Sequence, residues 1–339
     1  MISCLRGAGV EVVERHAPVW EGRRDSWRAG AGILGRLVGA EASLARPLPP
    51  CDVVIVGYPG HADMPLARVV ARGRPVVFNP LVSLSDTFVD DRARFAPGSL
   101  AAHALERVDR IALRTADLVV ADTEANAGFL ARLADLPRSE VEVCLVGAEE
   151  RLFRRGWSQS PNPSGQFTCL FVGKLIPLHG LETILAAARL AREVRFRVVG
   201  SGQLEPLLAA RPENVEWTRW VDYEQLPGEL HRCGCALGIF GTSDKAARVI
   251  PNKVFQALAC GAPVITADTP AARELLIDGE SALLVPPAQP DALAAAVRRL
   301  RDDPAFAARV ATGGAGAYRT HASEEALGRR WRRLIEALL

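Results

Sequence analysis

Three short stretches carry side chains able to hold an anion or move a proton. The first is Phe171-Val172-Gly173-Lys174-Leu175-Ile176-Pro177-Leu178-His179-Gly180. An apolar strand is expected to end at Val172, and Gly173 permits a tight exit. Lys174 and His179 then stand on a loop at the strand's carboxyl end, two cationic-capable groups suited to a diphosphate. The lysine lacks the preceding GxxxxG of a Walker A loop. The second stretch, Val198-Val199-Gly200-Ser201-Gly202-Gln203-Leu204-Glu205, places Gly200 and Gly202 after a strand. Glu205 stands where a dinucleotide fingerprint needs its third glycine, so the stretch reads as a tight strand-to-helix turn. The third, Pro251-Asn252-Lys253-Val254-Phe255-Gln256, opens a helix that ends at Gly261. Free amides and a positive partial charge at that N-terminus, with Lys253 beside them, make an anion site. Gln256, one turn on, is placed to bond a sugar hydroxyl.

Two further loops carry titratable groups at strand ends, where function concentrates. Gly57-Tyr58-Pro59-Gly60-His61-Ala62-Asp63 supplies His61 and Asp63, and Ser83-Leu84-Ser85-Asp86-Thr87 supplies Asp86. The competing readings are a loop-capping histidine for His61 and a helix N-cap for Asp86. The acidic pairs Asp90-Asp91 and Glu149-Glu150 read as solvated charge. A divalent cation needs convergent oxygens that adjacent loop residues rarely provide.

These stretches have to be positioned by strands and helices. Strands are expected at Val10–Glu14, Asp52–Val56, Pro75–Phe78, Asp117–Ala121 and Val141–Leu145. In the second half they are expected at Phe167–Val172, Arg195–Val199, Val215–Thr218, Ala236–Phe240, Pro263–Thr266 and Ala282–Val285. These runs are apolar and rich in β-branched residues, as parallel strands buried on both faces are. Helical spacing recurs between them at Leu100–Thr115, Glu124–Ala134, Leu181–Ala191, Val254–Cys260 and Asp291–Leu300. Such alternation predicts an α/β fold with doubly wound sheets. The Pro/Gly/Ser-rich segment 154–166 reads as a linker. It divides a Rossmann-like domain at 1–153 from a second at 167–320, the two facing a cleft. Residues 321–339 are expected to form a helix crossing back to the first. Met1–Gly9 reads as the tail of a helix, so the first sheet is expected to lack its opening strand.

Composition narrows the function. The 339 residues are 49% apolar and 24% charged, and the net charge is 41 − 39 = +2. A nucleic-acid binder would show a stronger basic bias. No apolar run reaches the ~20 residues of a membrane span, and no signal-peptide layout opens the chain. The seven cysteines are scattered without a metal-ligand spacing. A reduced, cytoplasmic protein without bound metal or cofactor is expected. Two basic runs hold tryptophans, Arg23-Arg24 with Trp27-Arg28 and Arg329-Arg330-Trp331-Arg332-Arg333. The first reading is a solvated helix face with one buried aromatic. The alternative is contact with an anionic lipid surface, which would make the protein peripheral at the inner membrane face.

Taken in order, these motifs resemble those of glycosyltransferase family 4, the group 1 glycosyltransferases of GT-B architecture. Gly173-Lys174-Leu175, three residues, then His179-Gly180 follows the family's Gly-Arg-Leu, three residues, Lys-Gly. Gln256-Ala257-Leu258-Ala259-Cys260-Gly261-Ala262-Pro263-Val264 follows its Glu-Ala-Met-Ala-Cys-Gly-x-Pro-Val. Val199-Gly200-Ser201-Gly202, Asn214-Val215-Glu216, and Glu274 with Asp278-Gly279 fall in family order. The likeness covers residues 140–320 and departs from the pattern at several points. Lys174 and His179 replace the arginine and lysine, Gln256 replaces the second glutamate, and the first would fall at Arg248. Pro251-Asn252-Lys253 fits a branch with Pro/Ser-x-Lys-x-x-Glu. Asn79-Pro80 replaces a histidine common after the strand ending at Phe78.

The resemblance implies retaining, metal-independent transfer of a sugar from a nucleotide-sugar substrate to a glycan, lipid-linked or small-molecule acceptor. It places the diphosphate at Gly173, Lys174, His179 and Pro251–Val254, the ribose at Gln256 and the base near Arg219, Trp220 and Val221. His61 and Asp86 are left as acceptor-side catalytic candidates, and Gly200 and Gly202 as donor-side backbone. The alternatives are an inactive nucleotide-sugar-binding partner subunit and an epimerase or hydrolase of the same fold.

Overall fold

The computed structural model describes residues 1–17, 39–40, 43–92, 94–158 and 166–339. The Arg23–Arg28 run, where a lipid contact was the alternative, lies outside them.

The first half holds strands β1 (Val54–Val56), β2 (Val76–Phe78), β3 (Leu118–Ala121) and β4 (Val141–Val143). They pair in parallel in the order β1-β2-β3-β4. The helices that pack on this sheet include α1 (Ile2–Gly7), α2 (Asp63–Ala71), α3 (Leu100–Thr115) and α4 (Glu124–Ala134). Ser99 and Thr123 start α3 and α4 by accepting the amides of Ala102 and Asn126. Phe78, Leu113, Val119 and Leu130 fill the layer between sheet and helices. Val10–Glu14 corrects the reading above, because it joins no sheet. Arg6 reaches across it to Val12 O and Glu14, and Val10 and Val12 lean on α1's cluster.

The second half is a six-stranded parallel sheet of β5 (Thr168–Val172), β6 (Arg195–Val199), β7 (Val215–Thr218), β8 (Cys235–Leu237), β9 (Val264–Ala267) and β10 (Leu283–Val285). Their spatial order is β7-β6-β5-β8-β9-β10. The order in which the chain adds strands therefore switches from one side of β5 to the other at β8, all strands staying parallel. The crevice beyond the carboxyl ends of β5 and β8 is where open α/β sheets bind ligands. The helices are α5 (Leu181–Leu190), α6 (Leu226–Arg232), α7 (Asp244–Arg248), α8 (Asn252–Cys260), α9 (Pro270–Arg273), α10 (Pro290–Asp302), α11 (Pro304–His321) and α12 (Glu324–Glu336). Alternation along β5 splits its side chains. Cys169 and Phe171 join Leu185, Phe196 and Val297 on one face. Leu170 joins Val254, Phe255 and Leu258 of α8 on the other. The apolar area thus removed from water is worth about 25 cal/mol per Å², and it fixes β5 and α8 against each other.

α12 returns to the first half. It packs on α1, and Trp331 is buried with Cys4, Leu5 and Val120. Arg330 donates to Val143 O at 2.9 Å and to Glu142. Arg329 and Arg332 pair with Glu325 and Glu336 on the same helix. Three of the four arginines of that run are thereby paired around one buried aromatic. Glu150 departs from the solvated-charge reading: one carboxylate oxygen accepts Tyr318 Oη at 3.1 Å and the Glu324 amide at 3.0 Å. Among the described residues no helix is long and apolar enough to cross a membrane.

Candidate functional site

The carboxyl edge of β5 is built from glycines at close quarters. Gly173 has φ 151° and Gly200 φ 149°, and a Cβ on Gly200 would lie 1.8 Å from Gly173 O. A Cβ on Gly202 would lie 2.5 Å from Leu175 O. Backbone bonds lock this contact, Gly173 N to Val199 O at 2.9 Å and Leu175 N to Ser201 O at 3.0 Å. Gly200 and Gly202 therefore let two strand-end loops touch, a packing task that requires glycine.

Against this edge stands the N-terminus of α8. Pro251 leads in at φ −72°, and Gly261 ends the helix in the left-handed region. Its second residue, Lys253, folds its chain back under the loop. A Cβ on Gly173 would meet Lys253 Nζ at 2.8 Å and His179 Cε1 at 3.4 Å. The structure thus brings Gly173, His179 and Lys253 to one point. Lys253 Nζ lies 4.1 Å from the centroid of the Phe171 ring, is buried, and has no hydrogen-bond partner. Burial holds its pKa well below the usual lysine range. An unpaired buried cation is costly, so this nitrogen marks the site.

His179 sits edge-on to the same ring at 5.6 Å, with Nδ1 against Lys174 O. Burial first, then the Lys253 charge, holds its pKa well below the usual histidine value. The imidazole is accordingly neutral, and the standing positive charge of this loop is left to Lys174 on the rim. Lys174 lies exposed on the rim, its pKa lowered by burial of its stem and by the Arg92 charge. One turn along α8, Gln256 Nε2 donates to Tyr223 Oη at 3.4 Å, and Tyr223 packs edge-on to Phe153. Of the strand-end loop after β7, Arg219 pairs with Glu205 at 3.2 Å. Trp220 Nε1 donates to Asp222 Oδ1 at 3.3 Å, and Val221 packs into the core beside α8.

The acceptor-side candidates are engaged elsewhere. His61 is buried, its Nε2 3.2 Å from Asp109 Oδ1 and its Nδ1 against Pro59 O. Asp109 also accepts Leu84 N, Ser85 N, and the hydroxyls of Ser83 and Ser85, all within 2.9 Å. Burial alone would raise its pKa. The hydrogen bonds from His61, Ser85, Leu84 and Ser83 outweigh that and bring it below the ordinary value. His61 and Asp109 thus hold the 83–85 loop from beneath.

Asp86 lies on the boundary between the halves. Its Oδ1 accepts Arg248 Nη2 at 2.8 Å and its Oδ2 is 3.8 Å from Lys245 Nζ. Lys245 also donates to Thr87 Oγ1 at 2.8 Å and lies 3.7 Å from Asp91. Asp91 is consequently buried, contrary to the solvated-charge reading. Asn79, at the position of the missing histidine, is spent on Val120 O at 2.7 Å. A second bridge crosses nearby: Glu274 accepts the amides of Glu124 and Ala125 at 2.7 and 2.9 Å, capping α4 from the other half.

Beside that bridge, burial raises Asp122 to about 6, against a bond from Asn126 and with repulsion from Glu274. The folded chain holds this proton more tightly than the unfolded chain. Stability therefore falls as pH rises from about 4 to about 6 and is flat above. The shift from 3.8 to about 6 corresponds to about 3 kcal/mol. Asp122→Asn, which keeps the acceptor for Asn126, is expected to raise the thermal midpoint at pH 8 and leave it unchanged at pH 4. Calorimetry at the two pH values checks this.

Of the residues named from the sequence, Lys174, His179, Lys253 and Gln256 lie together along the β5–α8 edge. Sequence reasoning missed Asp109, Lys245, Tyr223 and the ring of Phe171. Lys245 and Arg248 stand within the stretch leading to α8, and their spacing on one short helix was the available signal. Asp109, flanked by Arg107 and Arg110, gave none.

Comparison with known proteins is consistent with this layout. Residues 166–303 match the family model "Glycosyl transferases group 1". A D-inositol 3-phosphate glycosyltransferase of Thermomonospora curvata is 28% identical over 247 residues, 60% of this chain and 53% of its own length. A lipopolysaccharide core biosynthesis glycosyltransferase of Rhizobium meliloti is 27% identical over 177 residues, 49% of this chain and 48% of its own. The chain thus spans about half the length of these curated relatives. Among solved structures, the sucrose-phosphate synthase of Thermosynechococcus elongatus superposes with a TM-score of 0.71 at 19% identity. That match covers 91% of this chain and 78% of the other. The Anabaena protein HepE in complex with UDP-glucose gives 0.68 at 18% identity, covering 90% and 84%. The two parallel-sheet halves have the GT-B fold of these solved structures, and residues 166–303, the second half of the chain, carry its similarity to the group 1 glycosyltransferases.

Proposed function

We propose that the chain is a glycosyltransferase that binds a nucleoside diphosphate sugar at the β5–α8 edge and passes the sugar, with retention, to an acceptor held by the first half. The observation that carries this is the buried, unpartnered Lys253 nitrogen between Gly173 and the α8 N-terminus. A diphosphate there would receive the α8 amides, Lys253 and Lys174. Those groups would stabilise the charge that develops on the leaving diphosphate, catalysis by preorganised electrostatics. His179 would orient the loop through its bond to Lys174 O, and Gln256, steadied by Tyr223, would take the ribose. The Asp86–Arg248 and Glu274–α4 bridges would hold the halves close enough to exclude water. HepE, whose structure contains UDP-glucose, makes a UDP-sugar the first donor to try. A glycan or lipid-linked acceptor on a membrane surface extends the same reading.

The test is calorimetric titration of UDP-, GDP- and dTDP-glucose into the whole chain, followed by nucleotide release with and without acceptors. The expected result is one donor bound with a Kd that Lys174→Ala weakens about tenfold or more, the loss of one charge-assisted hydrogen bond. Release should occur only when an acceptor is supplied. Binding without turnover against every acceptor would favour the inactive partner subunit, which Gln256 and the Asp86-bound Arg248 motivate. No binding of any nucleotide would overturn the assignment.

A further inference from the structure

Lys253 is in an unusual position for a phosphate-binding lysine. Its nitrogen is turned away from solvent onto Phe171. It closes a small cavity walled by Leu170, Val172, Leu226, Leu230 and Gln256. Besides β8, which brings only Ala236 and Leu237 to the cavity wall, three elements surround it, and the titratable groups they present are few. The β5 loop offers His179, neutral, and Lys174, a like charge. α8 itself offers Gln256, which does not titrate, and through it Tyr223 from the turn after β7. α6 offers leucines at the cavity wall. Among the described residues no acceptor is within hydrogen-bond distance of Lys253 Nζ. A charged ammonium has nothing here to replace its lost hydration except one aromatic face, which is worth a small part of that loss. A free amine loses far less on burial.

We propose that Lys253 stands as the neutral amine while the site is empty and takes one proton from solvent when the donor diphosphate arrives, so that donor binding and protonation of Lys253 are a single linked event. This rests on the diphosphate reading above. The step balances simply: the amine lone pair forms one N–H bond with a proton taken from water or buffer, and the ammonium then pairs with a diphosphate oxygen. The diphosphate supplies the anionic partner that the empty site lacks, and opposite charge at contact distance favours the charged amine. By linkage, donor affinity falls as pH rises through the window between the empty-state and bound-state titrations of this group. It falls tenfold per pH unit there, the slope for one proton. Lys174, exposed on the rim, remains the standing cation that draws the diphosphate in. Closing on the donor then switches on the inner charge, so the strongest stabilisation is created only when a diphosphate is present.

The experiment is titration calorimetry of UDP-glucose into the whole chain between pH 6 and pH 9.5. It is run at each pH in two buffers of different ionisation enthalpy, which reports protons taken up per donor bound. A nucleotide sugar is used because its two phosphates carry no group that titrates in this range. The expected result is uptake that rises toward one proton with pH, with log Kd climbing at a slope near one. Lys253→Arg, charged at every pH used, should bind without uptake. Lys253→Met should bind weakly and without uptake, which serves if arginine does not fit the cavity. Binding by the wild type with zero uptake at every pH overturns the inference and leaves the diphosphate site standing. Unchanged uptake in either variant assigns the proton to another group and overturns it too. Absence of binding at every pH overturns the site and the inference together.

Discussion

Replacing Lys253 by methionine is expected to weaken nucleotide-sugar binding about 10- to 100-fold while raising the thermal midpoint of the empty protein. The two effects share one cause. The nitrogen is buried without a partner above Phe171, so the folded chain bears the cost of an unsatisfied polar group, about 1–3 kcal/mol. Methionine keeps the length of the side chain, adapts to the cavity beside Leu170 and Leu226 and removes that cost. The same change deletes the group proposed to meet the diphosphate, whose charge-assisted bonds are worth about 1.5–3 kcal/mol. A stabilised protein that has lost ligand affinity is the signature of a residue retained for function against stability. Thermal unfolding without ligand and calorimetric titration with UDP-glucose check both halves. A methionine variant that melts earlier and binds normally would identify Lys253 as a core residue.

Asp86→Ala is expected to cost about 3–5 kcal/mol, read as a fall in the urea midpoint of the whole chain. Asp86 stands between Arg248 at 2.8 Å and Lys245 at 3.8 Å, with Asp86 and Lys245 buried and Arg248 nearly so. Removing it strands two cations from one half against the other, and breaking a buried pair from one side carries about that penalty. Burial already lowers the Lys245 pKa, opposed chiefly by Asp86 and Asp91, so without Asp86 its charge is the less supported of the two. Arg248 keeps its stacking on Phe129 at 3.9 Å, and Lys245 keeps Thr87 at 2.8 Å and Asp91 at 3.7 Å but loses one of its two carboxylates. Adding Lys245→Met to the variant should restore part of the loss, because the stranded charge goes with it. An unchanged midpoint in Asp86→Ala would mean that the other contacts between the halves, α12, Glu274 and the Thr123 and Thr87 bonds among them, hold them without it. Donor binding at the β5–α8 edge should survive in these variants, since neither Asp86 nor Lys245 is among the groups proposed to meet the diphosphate.

The sequence showed most where signals are local. α3 and α4 were legible to the residue, because Ser99 and Thr123 announce their starts and their apolar faces repeat on helical spacing. The buried strands were legible as continuous apolar runs, with ends trimmed by one to three residues where pairing stops. Lys174, His179 and Lys253 were legible because a glycine exit and a proline-opened helix have known uses. What was hidden depends on partners far along the chain. Val10–Glu14 has the composition of a strand and no neighbour to pair with. Asp91 and Glu150 look solvated beside another acid, yet one meets Lys245 and the other Tyr318 across more than 150 positions. His61 looked free for chemistry because Asp109, its partner 48 positions on, sits among arginines on a helix that reads as an exposed face. The charge state of His179 was hidden for the same reason. Its spacing fits a cation, and only the packing of Phe171 and Lys253 around it makes the ring neutral.

The central claim is that the β5–α8 edge holds a diphosphate through Lys253. A crystal structure of the whole chain with UDP-glucose tests it most directly. The account predicts a diphosphate oxygen within about 3 Å of Lys253 Nζ, with the α8 amides donating to the same group and the amine drawn off the Phe171 ring. A nucleotide bound elsewhere, or bound here with Lys253 Nζ still facing Phe171 and no phosphate oxygen beside it, would contradict it.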